Sequence, residues 1–193
     1  MNTDLLKAHI LQTIDIDEKQ TEDFCRLFIP GKVSKKEMIL KEGEVSGFEA
    51  FVTKGLFKIY HTDQDAVEHI LYFAMDGWWL ADIDSFTHQH PSLLNMEAIE
   101  QSDILMIRKE EKEYAYTHIP GIEKLFRVMT QRSHVALQRR MIENLSVHSD
   151  QRYLNFINKY PLLAQRLTNV HIAAYLGISH EFVSRIRHKV VRK

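Results

Sequence analysis

Apolar positions change their rhythm twice along the chain. From Asp4 to about Phe28 they recur at helical spacing, as Leu5, Leu6, Ile10 and Leu11 and then Phe24, Leu27 and Phe28. Asp15-Ile-Asp-Glu between the two groups predicts a helix start. From Pro30 to about Arg108 the apolar runs shorten, and turn residues punctuate them. Met38–Leu40 ends at Lys-Glu-Gly43, Phe48–Val52 at Thr-Lys-Gly55, and Leu56–Tyr60 at Thr-Asp-Gln-Asp. Val67–Phe73 precedes Asp76-Gly77, and Trp78–Leu80, Leu94–Ile99 and Ile104–Ile107 follow. Seven or eight such runs predict an antiparallel sandwich or jelly roll, with Gly43, Gly55 and Gly77 in its turns.

Helical spacing returns near Pro120, a good first-turn residue. Ile122, Leu125, Met129, Ala136, Met141 and Leu145 form a broken stripe too long for one small barrel to cover. Ile122, Leu125, Met129 and Ala136 are therefore assigned to a helix that pairs with its twin, as an imperfect coiled coil. The alternative is a helix packed only on its own barrel. A further helix runs from Asp150 to Tyr160, and 161–169 reads as a connector. The class expected is α+β, in three parts: 1–118 helices and jelly roll, 119–148 long helix, 149–193 helical end.

The last part holds the most specific pattern. Ile172, Ala173 and Leu176 make one apolar face, Gly177 supplies a turn, Ile178 is a buried plug, and Ser179 caps a second helix. Val183 and Ile186 face back onto the first helix across the small Ala173. This is the arrangement of a helix-turn-helix that enters the major groove of DNA. His180, Glu181 and Arg185 then project toward base edges, Arg185 with the fork that suits guanine and Glu181 as an acceptor for cytosine. Ser179, Ser184, Arg187, His188 and Lys189, with Arg192 and Lys193 beyond, suit phosphates. The plain alternative is a helical hairpin with a solvated charged face.

Charge supports a polyanion partner at this end alone. The whole chain carries a formal net charge of −1. Residues 150–193 hold eight Lys and Arg against Asp150 and Glu181, a net of +6, which leaves −7 for the remainder. The single Cys25 excludes an intrachain disulfide. It reads as a small semi-buried hydrophobe, with a redox-sensing thiol as the alternative. No signal peptide or membrane span is visible, so a cytoplasmic setting without a membrane partner is expected.

A jelly roll, a long helix and a C-terminal helix-turn-helix, in that order, resemble the Crp–Fnr family of bacterial transcription regulators. The likeness is strongest in Tyr160-Pro-Leu-Leu-Ala-Gln-Arg, Ile172-Ala-Ala-Tyr-Leu-Gly-Ile-Ser and Val183-Ser-Arg-Ile-Arg, and is most similar to the branch common in Bacteroidetes. The resemblance implies a winged helix-turn-helix, a homodimer, a double-stranded operator with two-fold symmetry, and RNA polymerase as a further partner. It puts base reading on His180, Glu181 and Arg185, with His180 replacing a basic residue often found there. Members that bind a cyclic nucleotide carry Gly-Glu, then Arg-Ser or Arg-Ala about ten residues on. Here those positions are Ala81-Asp82 and Ser92-Leu93, a degenerate pocket in which a cyclic phosphate has no cationic partner. Weak or no binding of cyclic AMP is expected, the effector is unknown, and no cofactor is assigned. One cysteine cannot hold the iron–sulfur cluster of another branch.

Two other readings compete. His88-Gln-His90 in a jelly roll could belong to a metal-dependent cupin-like enzyme. Such sites want a Glu about four residues on and a later barrel histidine. Glu97 lies seven residues after His90, and the next histidine is His118, so neither a metal nor an enzyme is assigned. No nucleophile–base motif or phosphate-binding glycine loop is present. The third reading is a dimeric scaffold that does not bind DNA. Tyr72, Phe73, Trp78, Trp79 and Phe86 read as barrel core, with an apolar ligand pocket as the alternative.

Overall fold

The computed structural model describes residues 2–191, with side-chain surroundings through Arg187. Two helices open the chain, α1 (Asp4–Thr13) and α2 (Glu18–Cys25). The break falls where the acidic cluster predicts it. Asp17 caps α2, accepting from the Gln20 backbone N–H, while the Gln20 side chain accepts from the Asp17 N–H.

Eight strands follow: β1 (Ile29–Val33), β2 (Met38–Leu40), β3 (Phe48–Lys54), β4 (Leu56–Thr62), β5 (Glu68–Met75), β6 (Trp79–Leu80), β7 (Asn95–Ala98) and β8 (Ser102–Arg108). They form two four-stranded sheets, ordered β1-β8-β3-β6 and β2-β7-β4-β5. The β1–β8, β2–β7, β3–β6, β3–β8 and β4–β7 pairings are antiparallel. A short helix, α3 (Ile83–His88), interrupts the strands between β6 and β7.

The continuous apolar run on β3 is explained by burial on both faces. Ala50 and Val52 join the barrel interior with Phe57, Ile59, Met96 and Ile104. Phe51 points the other way, into a second core with Leu105 and Ile107 of β8 and Leu6, Ile10 and Phe24 of the opening helices. Gly55 makes the β3–β4 turn at φ +113°, and a Cβ there would sit 2.0 Å from the Ser102 hydroxyl. No other residue type fits this position without displacing β8.

Helix α4 (Lys109–His118) leads into the long α5 (Ile122–Ser146), and α6 (Ser149–Lys159), α7 (Pro161–Arg166), α8 (Asn169–Leu176) and α9 (His180–Val191) complete the chain. Residues 161–166 are thus a helix rather than a plain connector, begun by Pro161 at the position that needs no N–H. No strand is described among residues 149–191, so the wing implied by the resemblance is not among the described elements.

Contacts divide the chain into two compact units: 1–61 with 72–131, and 62–71 with 132–193. The division falls inside α5. This corrects the assignment of its stripe. Ile122 and Leu125 are fully buried in the first unit's own core, and Met129 packs against that core partly buried. They are covered by their own chain, because α1, α2 and α4 add a layer the barrel alone lacks. Ala136 lies in the exposed half of the helix, beside Leu137, Met141, Ile142 and Leu145.

Candidate nucleic-acid interface

The helix-turn-helix is built as its local sequence dictates. Thr168 caps α8, its Oγ1 accepting from His171 N at 3.2 Å. Gly177 ends α8 in the left-handed region at φ +64°, and its N–H returns to the Ala173 carbonyl. Ser179 caps α9, its Oγ accepting from Phe182 N at 3.2 Å. Val183 and Ile186 are buried, as are Ile172, Ala173 and Leu176, so α9 packs on α8 through the apolar residues expected. Ile178 is half-buried, not a fully buried plug.

That packing settles the outward face. His180, Glu181, Arg185 and Arg187 are exposed, and Ser184 is half-buried. The His180 Nε2 lies 3.3 Å from a Glu181 carboxylate oxygen. The Glu181 carboxyl is held below its ordinary value by its own backbone N–H and by the Ser179 hydroxyl, so it stays an acceptor. The Arg185 guanidinium lies 5.4 Å from the Phe182 ring centre. Arg187 donates to Asn169 Oδ1 at 2.9 Å, which holds its cation at the N-terminus of α8. The His188 and Lys189 side chains, and Arg192 and Lys193, lie outside the described residues.

One residue the sequence reading missed supports this unit. Arg140 of α5 donates to the carbonyls of Ile70 (2.9 Å), Tyr175 (2.6 Å) and Leu71, and its guanidinium sits 4.0 Å from the Tyr175 ring centre. Its partners lie 70 and 35 residues away in sequence, so spacing carries no signal for it.

The degenerate pocket positions meet each other. Asp82 is buried and caps α3, Oδ1 accepting from Asp84 N at 3.1 Å and Ser85 N at 3.2 Å. Its Oδ2 accepts from the Ser92 hydroxyl at 2.5 Å. Ala81 is pinned by Tyr72, whose hydroxyl donates to the Ala81 carbonyl at 2.6 Å and accepts from its N–H at 3.1 Å. Burial pushes the Tyr72 phenol above its ordinary value, so it remains a donor. Leu93 is exposed. In the same sheet, Lys58 is buried 3.1 Å from Glu97 across the β4–β7 pair. Glu97 is thereby committed to a lysine, not to the histidines. His88 and His90 instead meet Asp84, whose carboxyl is held below its ordinary value chiefly by the hydrogen bond with His88. Of the five aromatics, Trp79 packs edge-on against Phe28, Phe51 and Phe126, while Tyr72 serves the other core and Trp78 is partly exposed. They do not line one pocket.

Residues 30–115 match the family described as Cyclic nucleotide-binding domain. No curated protein matches the sequence. Among solved structures, FixK2 from Bradyrhizobium japonicum is 18% identical with a TM-score of 0.75, the match covering 86% of this chain and 85% of that one. CLP, the c-di-GMP responsive global regulator of Xanthomonas campestris, is 14% identical with a TM-score of 0.74, covering 91% and 92%. A CooA mutant from Carboxydothermus hydrogenoformans is 17% identical with a TM-score of 0.72, covering 100% and 86%. The chain shares the fold of these three structures. Helix α3 lies within the matched residues 30–115, and α8–α9 lie in the helical end beyond them. Among the described residues no helix is long and apolar enough to cross a membrane.

Proposed function

We propose that the chain is a cytoplasmic, homodimeric regulator that binds double-stranded DNA by sequence. The observation that carries this is the two-sided α9: Val183 and Ile186 buried on α8, with His180, Glu181 and Arg185 exposed opposite them behind a capped N-terminus. Arg185 takes guanine, Glu181 a cytosine amino group, and Ser179, Ser184 and Arg187 the phosphates. The exposed apolar stripe of α5, Leu137 to Leu145, meets its twin. The dimer presents two α9 helices to half-sites about 34 Å apart, one duplex turn. RNA polymerase is a further partner of the DNA-bound dimer. No enzymatic activity and no resident cofactor are assigned.

Cyclic AMP is not the signal. The carboxylate at the ribose-binding position is spent on the α3 cap and on Ser92, which stands where the phosphate-binding arginine would be. A phosphate entering there meets the buried Asp82 carboxylate, and Ser92 offers it no positive charge, at a cost of several kcal/mol.

Selection from a random-sequence duplex library tests the reading. The expected product is a palindrome with half-sites one turn apart, and Arg185→Ala weakens binding to it by about 1–3 kcal/mol while relaxing one base position. Binding that shows no palindrome, or a base preference indifferent to Arg185→Ala, sinks the reading.

A further inference from the structure

The outer face of α3 gathers three metal-ligating side chains from a stretch of seven residues. Asp84 and His88 stand one turn apart and share a face. The helix then ends in a left-handed residue, Gln89 at φ +56°, which turns the chain back so that His90 joins the same group. One ligand atom from each of the three lies within 4.8 Å of the others. The rings of His88 and His90 are nearly parallel, 6° apart in plane.

The group is braced from beneath. The Ser85 hydroxyl donates to the His90 carbonyl at 2.6 Å and accepts from Ser46 N at 2.9 Å. The Gln89 amide donates to the Phe86 carbonyl at 2.8 Å. Phe86, on the opposite side of α3, is buried beneath the Lys112 ammonium. The ligand face is thus presented by a short helix fixed on its other side.

Hydrogen bonding also orients one imidazole. His90 Nδ1 lies 3.1 Å from the Pro91 carbonyl, a contact it can make only as a donor. The neutral ring therefore keeps its lone pair on Nε2, and Nε2 faces Asp84 Oδ1 at 3.3 Å. Two acceptors at that distance repel unless a proton on Nε2 or a metal cation lies between them, so the arrangement offers a position that either can take. A carbonyl fixing the far nitrogen of a histidine is the usual outer support of a metal ligand. The spacing agrees as well. Two donors bound about 2.0–2.2 Å from a tetrahedral ion stand roughly 3.3–3.6 Å apart. His90 already matches that separation from Asp84, while His88 Nδ1, hydrogen-bonded to Asp84 at 2.9 Å, must give up the shared proton to the ion and open by a few tenths of an ångström.

We propose that Asp84, His88 and His90 form a site for a first-row transition-metal dication, of the zinc, cobalt or nickel class, on the outer face of α3. Two imidazoles and one carboxylate select these ions over magnesium and calcium, which prefer all-oxygen shells. Three protein ligands leave a fourth position for water. The site does not involve Glu97, and it stands whether or not the chain binds DNA.

The test uses the full chain free of any affinity tag, titrated with Zn2+ by calorimetry and with Co2+ by visible absorption. One ion binds per chain, and Co2+ gives the intense d–d bands of a four-coordinate ion. His88→Ala and His90→Ala each weaken binding by about 100-fold or more, at least the loss seen when even an outer support is removed. His134→Ala, at an exposed histidine on α5, leaves binding unchanged, and circular dichroism verifies that each variant is folded. Millimolar Mg2+ does not compete. Saturable binding that survives the His88→Ala/His90→Ala double variant overturns the proposal. So does the absence of any binding tighter than about 100 μM, roughly 5.5 kcal/mol.

Discussion

The two halves of α5 use the same residue types to opposite ends. Ile122 and Leu125 are 0% exposed, sealed by α1, α2, α4 and the outer face of the β1-β8-β3-β6 sheet. Leu137, Met141, Ile142 and Leu145, on the same helix, are 62% to 78% exposed. The difference lies in what the chain supplies as cover, not in the residues. Apolar periodicity reports that a face wants burial; it does not report who buries it. The first half is intrachain core, and the second is left exposed by its own chain, as the surface proposed to meet a twin.

Substitutions that treat the halves separately can break this contrast. The largest effect is expected at the anchor of the covered half. Lys112 is buried 2.7 Å from Glu49, with its ammonium 4.1 Å from the ring centre of Phe126 on α5. Glu49→Ala leaves that cation unpaired and lowers stability by about 3–5 kcal/mol in urea denaturation. Leu125→Ala follows at about 2–5 kcal/mol, because the surrounding helices cannot close on the cavity. In the exposed half, Leu137→Ala changes the stability of the dissociated chain by less than about 0.5 kcal/mol. Sedimentation equilibrium should instead show self-association weakened by roughly 1.5–3 kcal/mol per chain. If Leu137→Ala left the dissociation constant where it was, the stripe would not be the dimer surface.

The smallest effect is a titration. Cys25 shares the core that covers Ile122, and burial pushes its thiol from 9.0 up to about 11. Below pH 9 the thiol is protonated in both folded and unfolded chains and has no effect on the balance. As pH rises from about 9 toward 11 the unfolded chain ionises first, so folding loses stability there. Cys25→Ala should abolish that component of the alkaline loss in denaturation curves. The same burial disfavours the thiolate that a redox sensor needs.

The helix-turn-helix was legible because each of its signals is local. A small residue, a left-handed glycine and a serine cap lie within seven positions, Ala173 to Ser179. Strands announced by compact apolar runs were legible too. Strand β1 was not, since Ile-Pro-Gly-Lys-Val has no run to see, nor was α4, whose Lys-Glu-Glu-Lys-Glu opening looks like a solvated loop. The pairs Lys58–Glu97 and Lys112–Glu49 join residues 39 and 63 positions apart, and only the fold brings them together. The histidines of α3 were visible as a pair, but Asp84 was not joined to them without knowledge that a helical turn separates it from His88.

Arg140 has a consequence for how this molecule could be cut and grafted. One guanidinium holds main-chain oxygens of Ile70 and Leu71 in the β4–β5 hairpin and of Tyr175 in α8. A fragment starting at Ser149 would strip Tyr175 of its stacking cation. The smallest portable unit that keeps α8 and α9 supported is therefore discontinuous: the helical end, the last half of α5, and the ten residues of hairpin from Thr62 to Leu71.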